Sequence, residues 1–157
     1  MLSFDALYSS LKPDVEALTS PLFDASEVFV RNRGAFLPHG AVLTSSGEVR
    51  LVTAAPADFE TRAVSPPEVL PLLHQALRAA ATTNDAMAVA VSEDVTITPE
   101  GQKPTRAIKV LFEHRRCLTV ALYLPFHRKF LQGYVFGTML ALPASPEVCA
   151  WPPRDAT

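Results

Sequence analysis

The clearest pattern in the chain is a pair of apolar stretches within residues 105–126, TRAIKVLFEHRRCLTVALYLPF. In residues 106–113 apolar side chains alternate with mostly polar ones, as in a strand with one buried face. Residues 118–124 are apolar almost throughout, which is typical of a strand buried on both faces. A charged turn at residues 114–116 separates the two stretches. The pattern therefore predicts a β-hairpin near the centre of a sheet.

Apolar residues at helical spacing predict a helix at the start of the chain. It covers residues 3–20, with Ser3 as its cap. Pro13 interrupts it, which favours either one kinked helix or two short ones. Residues 22–33 are ambiguous between helix and strand, and we interpret them as helix leading into a loop at 32–34.

A second helix begins at the sequence Ser65-Pro66-Pro67-Glu68, which has the spacing of a capping box. An apolar stripe follows over residues 69–83, and Asn84 is suited to end the helix. Pro71 leaves two alternatives, a distorted first turn or a regular helix that begins nearer Val69.

The remaining apolar stretches predict strands. Residues 36–54 form a hairpin in which Gly47 supplies the positive φ of the loop. Residues 86–98 form a strand with a bulge or kink at 92–94, and residues 131–142 contain one more strand. The predicted order is helix, hairpin, helix and then strands.

This order predicts an α+β fold. We expect a two-layer sandwich, in which a mainly antiparallel sheet of about five strands has two or three helices over one face. Residues 1–142 are expected to form one domain, followed by a Pro-rich C-terminal tail at 143–157.

Composition narrows the function classes. With 157 residues, of which 48% are hydrophobic, the chain is globular. Its formal net charge of -2 gives no general attraction to nucleic acid or to an anionic membrane, so neither is a predicted partner. The first residues lack a basic region, and no apolar run reaches the length of about 20 that a membrane helix needs. We expect a cytoplasmic protein in which Cys117 and Cys149 are reduced.

Two resemblances add to this picture. The element order resembles that of the profilin-like group, which includes the roadblock and longin domains, and this implies dimerisation or scaffolding of partners. The second resemblance, to a group of small bacterial proteins of unknown activity, covers roughly residues 30–130 and implies no functional residues. It is carried by Phe36-x-Pro38-x-Gly40-x-Val42-Leu43, by Gly47-Glu48-Val49-Arg50-Leu51-Val52, and by Ala107-Ile108-x-Val110 with Glu113-His114-Arg115.

Groups able to do catalysis are present, but they form no recognised motif. The adjacent residues Glu93 and Asp94 are expected on opposite faces of a strand, which is wrong for a paired acid/base site. No nucleophile elbow, phosphate-binding loop, dinucleotide fingerprint or EF-hand occurs. The sequence therefore predicts no catalytic residue, metal ligand or cofactor, and enzymatic activity stays open but unsupported. We interpret the four histidines as structural or solvated: His39, His74, His114 and His127.

A basic cluster is the best candidate for function. Because a hairpin returns the chain, the start of its first strand lies beside the end of its second, opposite the turn. Such a cluster suits an acidic protein surface or a phosphate-bearing ligand, and the alternative is that these charges only solvate the hairpin. Its predicted members are Lys103, Arg106, His127, Arg128 and Lys129.

The last strand and the tail give a second candidate. Trp151, the single tryptophan, either packs onto its own domain or contacts another chain. If the last strand lies exposed at the edge of the sheet, edge-to-edge dimerisation is favoured.

The sequence therefore predicts a non-enzymatic interaction module that acts by protein–protein contact, with a homodimer as one form of it. The alternative is a small-molecule or anion-binding domain, or an enzyme without a recognisable motif. That alternative requires a pocket between the helix at residues 69–83 and the sheet.

Overall fold

The computed structural model describes residues 2–151 as two helices and a seven-stranded sheet. In chain order the elements are α1 Phe4–Arg33, β1 His39–Thr44, β2 Val49–Val52, α2 Pro66–Thr83, β3 Ala86–Ile97, β4 Thr105–His114, β5 Leu118–Lys129, β6 Gly133–Phe136 and β7 Leu140–Pro143. The strands are antiparallel in the order β2-β1-β3-β4-β5, and both β6 and β7 pair with the far side of β5. The predicted α+β class with an antiparallel sheet is confirmed, with seven strands rather than about five.

The two helices lie on opposite faces of the sheet. In β1, Ala41 and Leu43 pack with α1, whereas Val42 between them packs with α2. The prediction of a two-layer sandwich is therefore wrong, because the sheet is the middle of three layers. The physical reason is that the central strands are apolar at odd and even positions alike, so both faces need a cover. Strand β3 alternates in the same way, with Ala88 and Ala90 towards α1 and Val89 and Val91 towards α2.

Helix α1 runs unbroken for 30 residues, and neither Pro13 nor Pro21 ends it. Each proline removes one backbone N–H, which leaves the carbonyl group four residues earlier without its helical partner. Those carbonyls belong to Ser9 and Ala17, and both residues are exposed, so water can satisfy them. Ser3 accepts a hydrogen bond from Ala6 N, which confirms the predicted cap. No helix within residues 2–151 is long and apolar enough to cross a membrane.

Helix α2 has the predicted ends. Ser65 and Glu68 form the capping box, and Asn84 N donates to the carbonyl of Ala80 at the other end. The regular helix begins at Pro66 and tolerates Pro71, which is exposed in its second turn. The start nearer Val69 is therefore the wrong alternative.

The hairpin of β4 and β5 is present as predicted, and both strands are longer than the apolar pattern indicated. Strand β3 pairs with β4 without interruption from Ala88 to Ile97, so the predicted bulge at 92–94 is absent. The register instead shifts between β1 and β3 at Leu43 and Thr44.

The predicted last strand, within residues 131–142, is split into β6 and β7. Gly137 N donates to the carbonyl of Pro125, 2.8 Å away, at the point where the chain leaves β6. Pro125 has no N–H to return, so the ladder with β5 is interrupted there. Strand β7 then resumes the pairing, with Leu142 opposite Ala121.

Candidate functional site

The predicted basic residues lie at one end of the sheet. The register of β4 and β5 places Arg106 opposite Phe126, so the end of β5 lies beside the start of β4. Lys103 precedes β4 in an exposed loop, and His127, Arg128 and Lys129 are exposed. Four of the five predicted members are therefore open to solvent.

Arg106 differs from the other four, because its guanidinium group is held by internal contacts. It forms a two-armed ion pair with Asp94 on β3 and also donates to the carbonyl of Gly34 at 2.7 Å. Its carbon atom Cζ lies 4.8 Å above the ring of Phe126. Arg106 therefore connects β4 to β3 and to the end of α1.

Replacing Arg106 with alanine should destabilise the protein by about 1–3 kcal/mol, because Asp94 would keep its charge without a partner. This loss of stability is smaller than the loss expected on breaking a fully buried ion pair, since the Arg106 side chain is 40% exposed. Arg128→Ala is the matched control and should change stability by less than about 0.5 kcal/mol. Urea denaturation measures both. Equal midpoints for the two variants would contradict a structural role for Arg106.

The opposite end of the sheet contains a buried carboxylate that holds the C-terminal segment. Glu113 is only 3% exposed, and its oxygens accept hydrogen bonds from the backbone N–H groups of Glu147, Val148 and Cys149 at 2.9, 2.7 and 3.0 Å. Arg78 of α2 donates to the carbonyl of Val148 at 3.0 Å. Residues 147–149 are therefore bound to the sheet and to α2 together.

A cavity of about 640 Å³ lies beside this segment. Its walls include Phe4 and Leu7 of α1, the β4–β5 turn with Cys117, and the C-terminal segment with Cys149 and Trp151. Both cysteines are free and exposed. Trp151 is half-buried and packs against the core under α2, so in this structure it contacts its own domain.

The space between α2 and the sheet, where the alternative function requires a pocket, is filled by side chains. Val69, Leu73, Leu77 and Ala81 of α2 are buried against the valines of β1 and β3. No α2 residue lines the cavity beside the C-terminal segment or the arginine-lined one described below.

The buried His114 and the half-buried Asp14 form a pair that resembles part of a catalytic triad. Arg116 N donates to His114 Nδ1 at 3.1 Å, so the ring proton lies on Nε2, which donates to Asp14 at 2.9 Å. Burial lowers the pKa of His114, although Asp14 opposes this shift. Both ring nitrogens are engaged, and the pair fastens α1 to the β4–β5 hairpin.

Ser26 also lies near a histidine, but it is fully buried. Its Oγ is 2.7 Å from Ser92 Oγ, 2.7 Å from the carbonyl of Leu22 and 3.3 Å from His39 Nε2. Burial lowers the pKa of His39. A nucleophilic serine must be reached by its substrate, so this arrangement suits a polar contact between α1 and the sheet.

Glu93 and Asp94 point to opposite faces, as the alternation of a strand predicts. Asp94 pairs with Arg106, whereas Glu93 faces Lys109, whose Nζ is 3.9 Å from Glu93 and 3.6 Å from Glu147. Burial raises the pKa of Glu93, and Lys109 opposes that shift. Within residues 2–151, no three His, Cys, Asp or Glu side chains lie close enough together to hold a metal ion.

His74 on α2 is the one buried polar group in the described part of the chain with an unpaired side-chain atom, Nε2. Burial lowers its pKa, so the neutral ring is favoured. The charges of Glu147 and Glu113 oppose that decrease in pKa. The charges of Arg78 and Lys109 add to it.

A second cavity, of about 400 Å³, lies between the end of α1 and the β5–β6 turn. Three of its lining residues are the arginines Arg31, Arg33 and Arg128, and we call it the arginine cleft. The sequence prediction found only Arg128, because the contact between residues 31–33 and the hairpin is long-range. The basic last turn of α1 was a signal for it, but that segment was ambiguous between helix and strand.

Fold and geometry together define a three-layer α+β protein in which Ser26, Glu113 and His114 make internal contacts, whereas His74 Nε2 is unpaired among the described residues. The arginine cleft and the apolar edge of β7 are exposed. No protein-family model, curated protein or solved structure matches the chain.

Proposed function

We propose that the protein is a non-enzymatic interaction module that acts by protein–protein contact, and that it forms a homodimer through the free edge of β7. The observation that carries this proposal is the exposure of β7. All four of its residues are exposed, including Leu140 at 46% and Leu142 at 51%. One side of β7 pairs with β5, and its other side pairs with no strand within residues 2–151.

The two edges of the sheet differ in their protection. At the β2 edge, Arg50 forms an ion pair with Glu48 and a hydrogen bond with Asn84, and such charges discourage strand addition. Strand β7, with the sequence LALP, has no charged residue. An uncharged edge is a template for pairing, and an antiparallel strand related by a twofold axis is its own complement.

The exposed leucines of β7 lie on the same face of the sheet as α2. Leu142 lies opposite Ala121, and Ala121 lies opposite Leu111 on the next strand. Leu111 lies opposite Val91, which packs under α2, so all of these side chains are on the α2 face. Helix α2 lies over β1, β2 and β3, and Leu142 stands on the part of the face beyond it. Pairing of two β7 strands would bury the exposed side chains of Leu140 and Leu142 from both copies.

The buried polar groups support a non-enzymatic role. The hydroxyl of Ser26, the ring of His114 and the carboxylate of Glu113 are the arrangements closest to catalytic ones, and each is engaged in an internal contact. These contacts give the side chains a structural role that requires no substrate.

Light scattering after size exclusion tests the proposal. The wild-type protein should show a mass that rises towards twice that of the monomer with increasing concentration. Leu142→Lys should remain monomeric, because a charge at the edge opposes pairing of two copies. Leu51→Lys on β2 is the matched control and should dimerise like the wild type, since Leu51 is 68% exposed at the other edge.

A wild-type protein that is monomeric at every concentration would refute the proposal. If the Leu142→Lys variant still dimerises, the dimer interface lies on another surface of the protein. Removing all residues after 142 is a poorer test, because it also removes the backbone groups that Glu113 binds.

A further inference from the structure

We propose that the arginine cleft binds a small phosphate-bearing ligand. This site is separate from the β7 edge, and the inference does not depend on the proposed homodimer. The cleft is lined by Arg31 and Arg33 of α1 and by Arg128 of β5. A guanidinium group presents N–H donors in a planar fork, which matches two oxygens of a phosphate.

None of the three arginines forms an ion pair with a carboxylate among residues 2–151. Four of the other arginines within residues 2–151 each have an acidic partner, and Arg78 and Arg116 have none. The four paired arginines are Arg50, Arg62, Arg106 and Arg115. Three like charges around one concave space repel each other, and an anion bound between them would remove that repulsion. The protein has a net charge of -2, so the local positive charge is not a general property of its surface.

Two of the three arginines stack on neighbouring aromatic rings. Arg31 Cζ lies 4.7 Å from the ring centre of Phe136, and Arg33 Cζ lies 5.8 Å from that of Phe29. Stacking uses the face of a guanidinium group and leaves the N–H donors at its edge available. Donors that are already oriented lose less entropy when a ligand binds.

Gly34 brings the two sides of the cleft close together. A Cβ atom at this position would lie 2.9 Å from the hydroxyl oxygen of Tyr134, so any other residue would displace that side chain. Its φ of +78° also requires a residue that tolerates the left-handed region, and its N–H donates to the carbonyl of Val30. One glycine therefore ends α1 and shapes the cleft.

Basic residues in a last helical turn also stabilise the helix through its dipole, and that effect alone would explain Arg31 and Arg33. It does not explain Arg128, which comes from a different element and faces the same space. The carbonyl groups of Val30 and Gly34 at this end of α1 accept hydrogen bonds from Gly34 N and Arg106 respectively. These carbonyl groups are therefore not the partners of the cleft arginines.

The shape of the site favours a small ligand over an acidic protein. A volume of about 400 Å³ falls in the range of small-molecule pockets, and a concave site holds its donors around an anion of a few atoms. The exposed lysines outside the cleft, Lys103 and Lys129, would add longer-range attraction for the anion.

Isothermal titration with pyrophosphate tests this inference at constant ionic strength, with inorganic phosphate and AMP as further probes. Wild-type protein should bind pyrophosphate. The double variant Arg31→Ala/Arg128→Ala should bind it roughly 10- to 100-fold more weakly or lose binding, because charge-assisted hydrogen bonds are removed. Arg116→Ala, at the exposed β4–β5 turn, is the matched control and should bind like the wild type. Tighter binding of AMP than of phosphate would identify a phosphate ester as the ligand class.

Three results would overturn the inference: no heat of binding with the wild type, equal loss in the Arg116→Ala control, or tighter binding of a poly-glutamate peptide than of pyrophosphate. The last result would assign the site to an acidic protein. The double variant must keep the circular dichroism spectrum and mass of the wild type. If it does not, Arg31→Lys/Arg128→Lys replaces it, since lysine retains the charge but not the fork and should still weaken binding. Because Leu142→Lys leaves the cleft intact, that variant should bind pyrophosphate normally even if the dimer is lost.

Discussion

Replacing Glu113 with alanine should lower the free energy of unfolding by about 3–5 kcal/mol, because three backbone N–H groups would lose their acceptor. These N–H groups belong to consecutive residues, 147–149, and one carboxylate binds all of them. Val148 is fully buried beside α2, so release of the segment would also expose apolar surface. For a chain of this length the melting temperature should fall by roughly 10 °C.

The variant Glu113→Gln separates shape from acceptor number. Glutamine has nearly the same volume but offers one acceptor oxygen, and its NH₂ group would face an N–H donor. Its oxygen can still accept from Glu147 N and Val148 N, which share one oxygen of Glu113, so the variant should recover only part of the lost stability. Glu100→Ala, an exposed loop carboxylate, is the control and should have no effect beyond about 0.5 kcal/mol.

A local readout accompanies the global one. Trp151 is the single tryptophan and lies two residues beyond the bound segment, so its emission should shift to longer wavelength when the segment is released. Amide exchange at residues 147–149 should accelerate in Glu113→Ala under conditions where the rest of the sheet stays protected. Unchanged exchange at these amides would contradict the proposed binding by Glu113.

Much of the fold could be predicted because it is encoded locally. The capping box at Ser65 and the alternation of β4 are each contained within a few residues. The three-layer arrangement could not be predicted, because it depends on both faces of β1 and β3. A run of apolar residues does not indicate which helix covers which face of the sheet. In α1 the buried stripe continues through Leu22, Ser26 and Val30, but the polar Ser26 in its middle obscured the helical period.

The candidate sites were harder to predict because they are made of long-range contacts. Hairpin geometry places Arg106 with the other basic residues, but no local pattern indicates that its guanidinium group binds Asp94 on β3 and Gly34 after α1. In the sequence pattern Glu113 is an ordinary polar position of a strand. Its hydrogen-bond partners lie 34 to 36 positions further along the chain, so the local pattern does not indicate them. Hairpin geometry predicts which residues share an end of the sheet. It does not predict which of them are engaged by other elements.

Gly40→Ala is expected to destabilise the protein by about 2–4 kcal/mol, although it adds only one methyl group. A Cβ atom at Gly40 would lie 2.6 Å from the carbonyl oxygen of Ala90 and 3.1 Å from the side chain of Leu77. Ala90 belongs to the central strand β3, so its carbonyl cannot move without breaking the pairing of β1 with β3. Leu77 is fully buried on α2, so this glycine lets the helix approach the sheet closely. Urea denaturation and the melting temperature measure the effect.

The control and a double variant identify which clash matters. Gly137→Ala adds the same methyl group where the nearest atom is 3.6 Å away, and it should leave stability within about 0.5 kcal/mol of the wild type. If the Ala90 carbonyl is the main obstacle, the costs of Gly40→Ala and Leu77→Ala should add to within about 0.5 kcal/mol. If Leu77 is the obstacle instead, its truncation should relieve part of the cost of the alanine at position 40. A Gly40→Ala variant as stable as the Gly137→Ala control would show that β1 and β3 can separate freely, against the close packing of α2 on this sheet.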